Sequence, residues 1–138
     1  MQELRRRREA TVRLHMEAEN DHDFERVMGT FAQPRYEIIP TGQVHDGDTE
    51  VRRYFRDTRA VFPDQRNELI ALRHADDAVV VEFWLLGTHQ GPLGDLAPSG
   101  KSFRVRMTAL FLFEGDGDGI VCEGVYFDSA SLLRQISA

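Results

Sequence analysis

The sequence predicts an α+β domain, with helices concentrated in the first half and long strands in the second, the strands forming an antiparallel sheet with helices on one face. Three observations carry this prediction. Apolar residues recur at helical spacing up to Val61 and then change rhythm. The stretch from Arg66 to Phe127 divides into four strand-length runs. The runs are separated by turn and loop signals: Asp76-Asp77, a Gly/Pro-rich segment from Gln90 to Lys101, and Gly115-Asp116-Gly117-Asp118-Gly119. Strands that follow one another through such connections pair antiparallel, and a run of helices followed by a run of strands is the pattern of an α+β domain.

The first helix is read from Glu3 to about Glu19, where strong helix formers surround a sparse apolar face of Leu4, Val12, Leu14 and Met16. Asn20-Asp21-His22-Asp23 breaks that pattern, and Asp23 is placed to cap a short second helix that turns Phe24, Val27, Met28 and Phe31 toward the core. Pro34 ends it. Tyr36 to Pro40 reads as a short strand closed by a turn at Thr41-Gly42, and a further turn covers His45 to Asp48. Val51, Tyr54, Phe55, Thr58 and Val61-Phe62 then set a third helix from about Asp48 to Val61, stopped by Pro63. The four late strands are Arg66 to His74, Ala78 to His89, Ser102 to Glu114 and Ile120 to Phe127, and Ser129 to Ile136 adds a closing helical turn or two.

Composition narrows the functions available. A chain of 138 residues has the usual size of one domain, so residues 1–138 are expected to share one core. With 41% apolar and 29% charged residues it is neither disordered nor membrane-embedded. A net charge of −6 argues against nucleic acid as a partner, because such binding rests on clustered cations, and the one basic run, Arg5 to Arg8, reads as the solvated first turns of a helix. Cys122 stands alone, which excludes an internal disulfide and a cysteine-based zinc cluster and points to a buried structural thiol. The N-terminus has no apolar signal region and no run approaches a membrane span, so no membrane partner is expected and the cytoplasm is the default location. His15, Glu19, His22 and Asp23 straddle a helix end without metal-ligand spacing, and the Gly-Asp-Gly-Asp-Gly segment lacks the register of a calcium loop. Neither a metal nor a cofactor is expected.

Several short segments together resemble the SnoaL-like polyketide cyclase, or ester cyclase, branch of the nuclear-transport-factor-2-like superfamily. They are His15-Met16-Glu17-Ala18-Glu19 ahead of His22-Asp23, Phe62-Pro63-Asp64, Gly87-Thr88-His89-Gln90-Gly91-Pro92, Pro98-Ser99-Gly100-Lys101, and Val125-Tyr126-Phe127-Asp128 before Leu132-Leu133-Arg134-Gln135. The resemblance spans nearly the whole chain. It implies a cystatin-like cone, in which N-terminal helices pack on the concave face of a curved antiparallel sheet around a pocket, and a homodimer formed through the outer face of that sheet. It does not fix one chemistry. Cyclases of this type and the related epoxide hydrolases carry an acid/base Asp on the last strand, where this chain aligns Val125. The epoxide hydrolases also use an Arg and an Asp two apart on a central strand, where this chain has Phe83 and Leu85, which argues against that activity.

Side-chain alternation then assigns the pocket wall. Setting Val125 inward brings Glu123 and Phe127 with it. Phe83 brings Leu85 and His89, and the next strand contributes Val105, Met107 and Ala109. Trp84, Arg104, Arg106 and Tyr126 fall on the outer face. Glu123 is the first candidate acid/base, since a carboxylate among Val125, Phe127 and Met107 loses hydration and gains basicity; a bulge turning it outward is the competing reading. His89 is read as a proton shuttle or a donor that orients a ligand carbonyl, against a role in bonding the loop that follows. Asp128 is a third catalytic candidate, against the N-cap of the last helix, which the following Ser129-Ala130-Ser131 favours. His15, four residues from Glu19, either lines the site or pairs with that carboxylate, and Tyr54 either offers its hydroxyl to a ligand or packs in the core with Phe55. The expected partner is a small hydrophobic molecule, and the segment from Gly91 to Gly100 suits a lid or a dimer-contact loop. Two functions follow: proton transfer on a hydrophobic carbonyl compound, of cyclase or isomerase type, or non-catalytic binding of an apolar ligand in the same pocket.

Overall fold

The computed structural model describes residues 2–137. In chain order its elements are α1 (Gln2–Asn20), α2 (Phe24–Met28), β1 (Arg35–Ile38), β2 (Gln43–Asp46), α3 (Asp48–Val61), β3 (Arg66–His74), β4 (Ala78–Thr88), β5 (Ser102–Leu112), β6 (Cys122–Phe127) and α4 (Ser129–Ile136). The six strands form one curved sheet in the order β2-β1-β6-β5-β4-β3. This is the α+β arrangement that the sequence predicts, with helices on one curved sheet.

Residues of one parity build the core. On β4 these are Val79, Val81 and Phe83, and on β5 they are Phe103, Val105, Met107, Ala109 and Phe111, all buried with Val12 and Met16 of α1 and Val51 and Phe55 of α3. Register carries the pattern across the sheet in rows. Phe83 faces Met107, which faces Phe127; Val81 faces Ala109, then Val125, then Ile38. The next row reads Phe111, Glu123, Tyr36. One carboxylate is thereby inserted into an otherwise apolar layer.

The structure differs from the sequence reading in four places. The sheet is not wholly antiparallel, because β1 and β6 run parallel; strands so far apart in the chain are not constrained by a hairpin. The hairpin partner β2 adds an edge strand where a turn was expected, and three of its four residues are exposed, so it has no apolar alternation to read. The second helix ends at Met28, and Phe31 instead makes a parallel bridge to Ile120. Finally, Arg8 is not solvated. It is 3% exposed, and its guanidinium donates to the carbonyls of Gly117 (2.9 Å), Asp76 (3.1 Å) and Gly115 (2.8 Å) while lying 4.9 Å from the Phe113 ring centroid. Carbonyls exposed in two tight turns give a buried cation the acceptors it requires.

The glycine-rich loop after β4 is tied to the end of α3. The amides of Gln90 and Gly91 both donate to the Val61 carbonyl at 3.0 Å, which satisfies an acceptor left open at a helix C-terminus. A Cβ on Gly91 would stand 1.9 Å from the Ala60 carbonyl oxygen, so no other residue fits that approach. On the outer face of the sheet Arg104 lies 3.7 Å over the Trp84 ring, and Glu82 pairs with Arg106 and Arg73. Among the described residues no helix is long and apolar enough to cross a membrane.

Candidate functional site

A cavity of about 310 Å³ opens between the concave face of the sheet and the helices. Phe83, Leu85, Met107, Val125 and Phe127 supply one wall, and Leu93 of the loop and Leu132 of α4 close the side. The inner end is polar, lined by Glu123, Glu19, Tyr36, Tyr54 and Arg59.

His15 lies behind that end, fully buried. Phe31 and Phe111 contact it edge-on, with ring centroids 5.4 and 5.2 Å away. Its Nδ1 is 2.8 Å from Thr30 Oγ1, and the Thr30 hydroxyl gives its only proton to the Val27 carbonyl at 2.6 Å. Thr30 therefore accepts, so Nδ1 carries hydrogen and the other nitrogen is the one turned to the cavity. That Nε2 lies 2.8 Å from Glu123 Oε1, 3.1 Å from the Tyr36 hydroxyl and 3.2 Å from Glu19 Oε1. One N–H cannot align with three acceptors. The contact with Glu123 is an ion pair off the N–H direction, and Oε1 is left with no hydrogen bond.

Electrostatics follow from this crowding. Burial works against charge on His15, yet Glu19 and Glu123 outweigh it and raise its pKa to about 10, so the ring is an imidazolium at neutral pH. Burial raises the pKa of Glu123; His15 and the Tyr36 hydroxyl offset part of the rise, and Glu19 adds to it. For Glu19 the same burial is overcome by His15 and Arg59, which hold its pKa below the usual carboxylate range. Two glutamates a few ångströms apart are thus shifted in opposite directions, Glu19 toward easier ionisation and Glu123 toward greater basicity. Burial keeps Tyr36 and Tyr54 protonated, as hydroxyl donors.

The ligand atoms of His15, Glu19 and Glu123 lie within 4.8 Å of one another, a spacing that would admit a metal ion. The imidazolium already fills the place of a cation between the carboxylates, and a metal would first have to displace its proton.

Of the residues singled out in the sequence, the structure brings Glu123, Tyr54, Phe83, Leu85, Met107, Val125 and Phe127 to the cavity. His15 sits directly behind them, and Val105 is buried beside Leu85 without being part of the lining. His89 lies elsewhere. It is fully buried beyond the end of β4, packs against Phe62, and accepts through Nδ1 from the Ser99 amide at 3.2 Å, beneath the glycine-rich loop. Asp128 caps α4, accepting from the amides of Ala130 (3.0 Å) and Ser131 (3.3 Å). Cys122 is a buried thiol whose pKa burial raises to about 11.

Sequence reasoning missed Arg59, Tyr36 and Thr30 as members of the site. Arg59 had a signal: with Val51 and Phe55 it occupies spacing i, i+4, i+8, so it stands in the inward stripe of α3. Thr30 had none, because its role depends on the chain bending after Met28.

Comparison with known proteins places this arrangement. The family model for the SnoaL-like polyketide cyclase matches residues 9–136. No curated protein matches the sequence. Among solved structures, a protein of unknown function with this fold from Burkholderia pseudomallei is 22% identical, with a TM-score of 0.80 over 96% of this chain and 98% of that one. A hypothetical protein with a ketosteroid isomerase-like fold from Catenulispora acidiphila, solved in complex with trimethylamine, is 20% identical, with a TM-score of 0.78 over 91% of each chain. TsrD from Streptomyces laurentii is 25% identical, with a TM-score of 0.74 over 91% and 94%.

Proposed function

This chain belongs to the SnoaL-like polyketide cyclase family, and from that premise we propose that it is a small-molecule enzyme that moves a proton on a hydrophobic carbonyl compound, with Glu123 as the base. The observation that carries the reading is the Glu123 carboxylate: buried among the residues that line the cavity's inner end and raised in basicity.

In this mechanism Glu123 takes the proton from the carbon beside the substrate carbonyl, and the electron pair moves to oxygen to form an enolate. The Tyr54 hydroxyl, lining the same cavity, donates to that oxygen. An isomerase returns the proton from Glu123 to another carbon. A cyclase lets the enolate carbon attack a second carbonyl of the same molecule, forming a carbon–carbon bond, and Glu123 gives its proton to the resulting alkoxide. His15 is a positioning residue, its ring oriented by the bond from Nδ1–H to Thr30 and keeping the carboxylate in place. His89 and Asp128 have no part in it, since neither lines the cavity.

A second reading has one observation in its favour. Val125 stands where the family resemblance implies an acid/base Asp, and it is part of the cavity wall. With that group gone, the protein would hold an apolar ligand without turning it over. Hydrogen–deuterium exchange beside the carbonyl of a bicyclic ketone separates the two. The enzyme reading expects exchange that Glu123→Gln slows by about 10²-fold or more while the variant still binds ketone. Binding with equal exchange rates in both proteins would support the binder.

A further inference from the structure

We propose that the ligand of this cavity carries a carboxylate, and that Arg59 is the side chain that receives it. The inference rests on the reading that the cavity is the ligand site and names the chemical class it takes.

Arg59 reaches the inner end of the cavity from α3, its side chain only 10% exposed. Its guanidinium lies over apolar surface, 5.0 Å from the Phe24 ring centroid and 5.8 Å from that of Phe55. A guanidinium cannot shed its proton, so burial has to be offset by acceptors. It has few. Its nearest carboxylate partner among the described residues is Glu19, at 3.5 Å, and that carboxylate is also shared with His15. Nη1 donates to the Thr58 hydroxyl at 2.9 Å, and the buried Nε has no acceptor at all. Arg8, the other deeply buried arginine, shows what a structural guanidinium looks like here, with Nε, Nη1 and Nη2 each on a carbonyl oxygen.

A planar carboxylate matches the guanidinium fork, while the walls of Phe83, Leu85, Met107 and Phe127 accept an apolar body.

The test uses 2-naphthoate and its methyl ester, two bicyclic probes that differ in the charge. In titration calorimetry on the whole protein the acid is expected to bind at least about tenfold more tightly than the ester. Arg59→Gln should abolish the difference, and Arg59→Lys should keep part of it. Should Arg59→Gln fail to fold, nitrogen-15 spectra of the unaltered protein decide: the Arg59 Nε–H signal should shift on adding the acid and stay in place with the ester. Equal affinity for the two probes, or a preference for acid that survives in folded Arg59→Gln, overturns the carboxylate and leaves the cavity as a ligand site. Binding of neither probe overturns both readings together.

Discussion

Near its start α1 buries the guanidinium of Arg8, and about two turns further on it buries the imidazole of His15. Both groups are cations in a low-dielectric interior, and their surroundings differ in completeness. Arg8 closes two turns of the chain against each other, with three carbonyls and a ring face as partners. The His15 region gathers two cations and two carboxylates yet leaves Glu123 Oε1 and Arg59 Nε without a bond, both on side chains that line a cavity. A fold that needs a buried charge for its own stability satisfies it from the backbone. The side chains that carry those two atoms line a cavity, so this cluster, unlike the Arg8 site, has a face from which a ligand can approach.

This contrast is breakable. The largest stability effect is expected at the complete site: Arg8→Met should cost about 2–4 kcal/mol in urea unfolding, because it strands turn carbonyls that lose a charged donor. Glu123→Gln keeps the side chain's shape and leaves His15 its ion pair with Glu19, so it should cost less than Arg8→Met. If the order is reversed, the cavity cluster is the structural one.

A second effect concerns pH. His15 has an ordinary pKa of 6.5 and a folded value of about 10, so the folded state holds the proton more tightly and its contribution to stability is full below pH 6.5 and lost as pH climbs through about 10. Glu123, also raised, adds a loss of the same sign above pH 4.5. Glu19, lowered, works the other way, losing its contribution as pH falls below 4.5. Unfolding free energies at pH 6, 8 and 10 should therefore decline, and His15→Gln should flatten the decline between 6 and 10. An equal slope in the variant would place the titration elsewhere.

The smallest effect separates capping from catalysis. Asp128→Ala should cost about 1 kcal/mol, as loss of a helix N-cap does, and leave proton exchange unchanged. Lost exchange with stability intact would return Asp128 to the mechanism.

The legible part of this molecule was its periodicity. The helical stripe of α3, the alternation of β4 and β5, and the parity that sets Glu123 beside Val125 and Phe127 all follow from repeats of 3.6 and 2 residues, and they survive in the structure. What periodicity could not settle was the identity of buried charges. Arg8 and Arg59 both sit in inward stripes, where an arginine reads as an interruption of the apolar face; only the tertiary partners, turn carbonyls in one case and aromatic rings in the other, make those positions tenable. His89 failed differently. Its parity was right for the cavity side, but β4 ends at Thr88 and the chain turns into the loop, so the side chain is carried beneath Ser99.

The most direct measurement is a carbon-13 NMR titration of the glutamate side-chain carboxyls, with Glu123 assigned by its absence in Glu123→Gln. The account predicts a Glu123 midpoint above the ordinary 4.5 and a resonance that moves when 2-naphthoate fills the cavity. A midpoint at or below 4.5, with a signal indifferent to any bicyclic ligand, would contradict it.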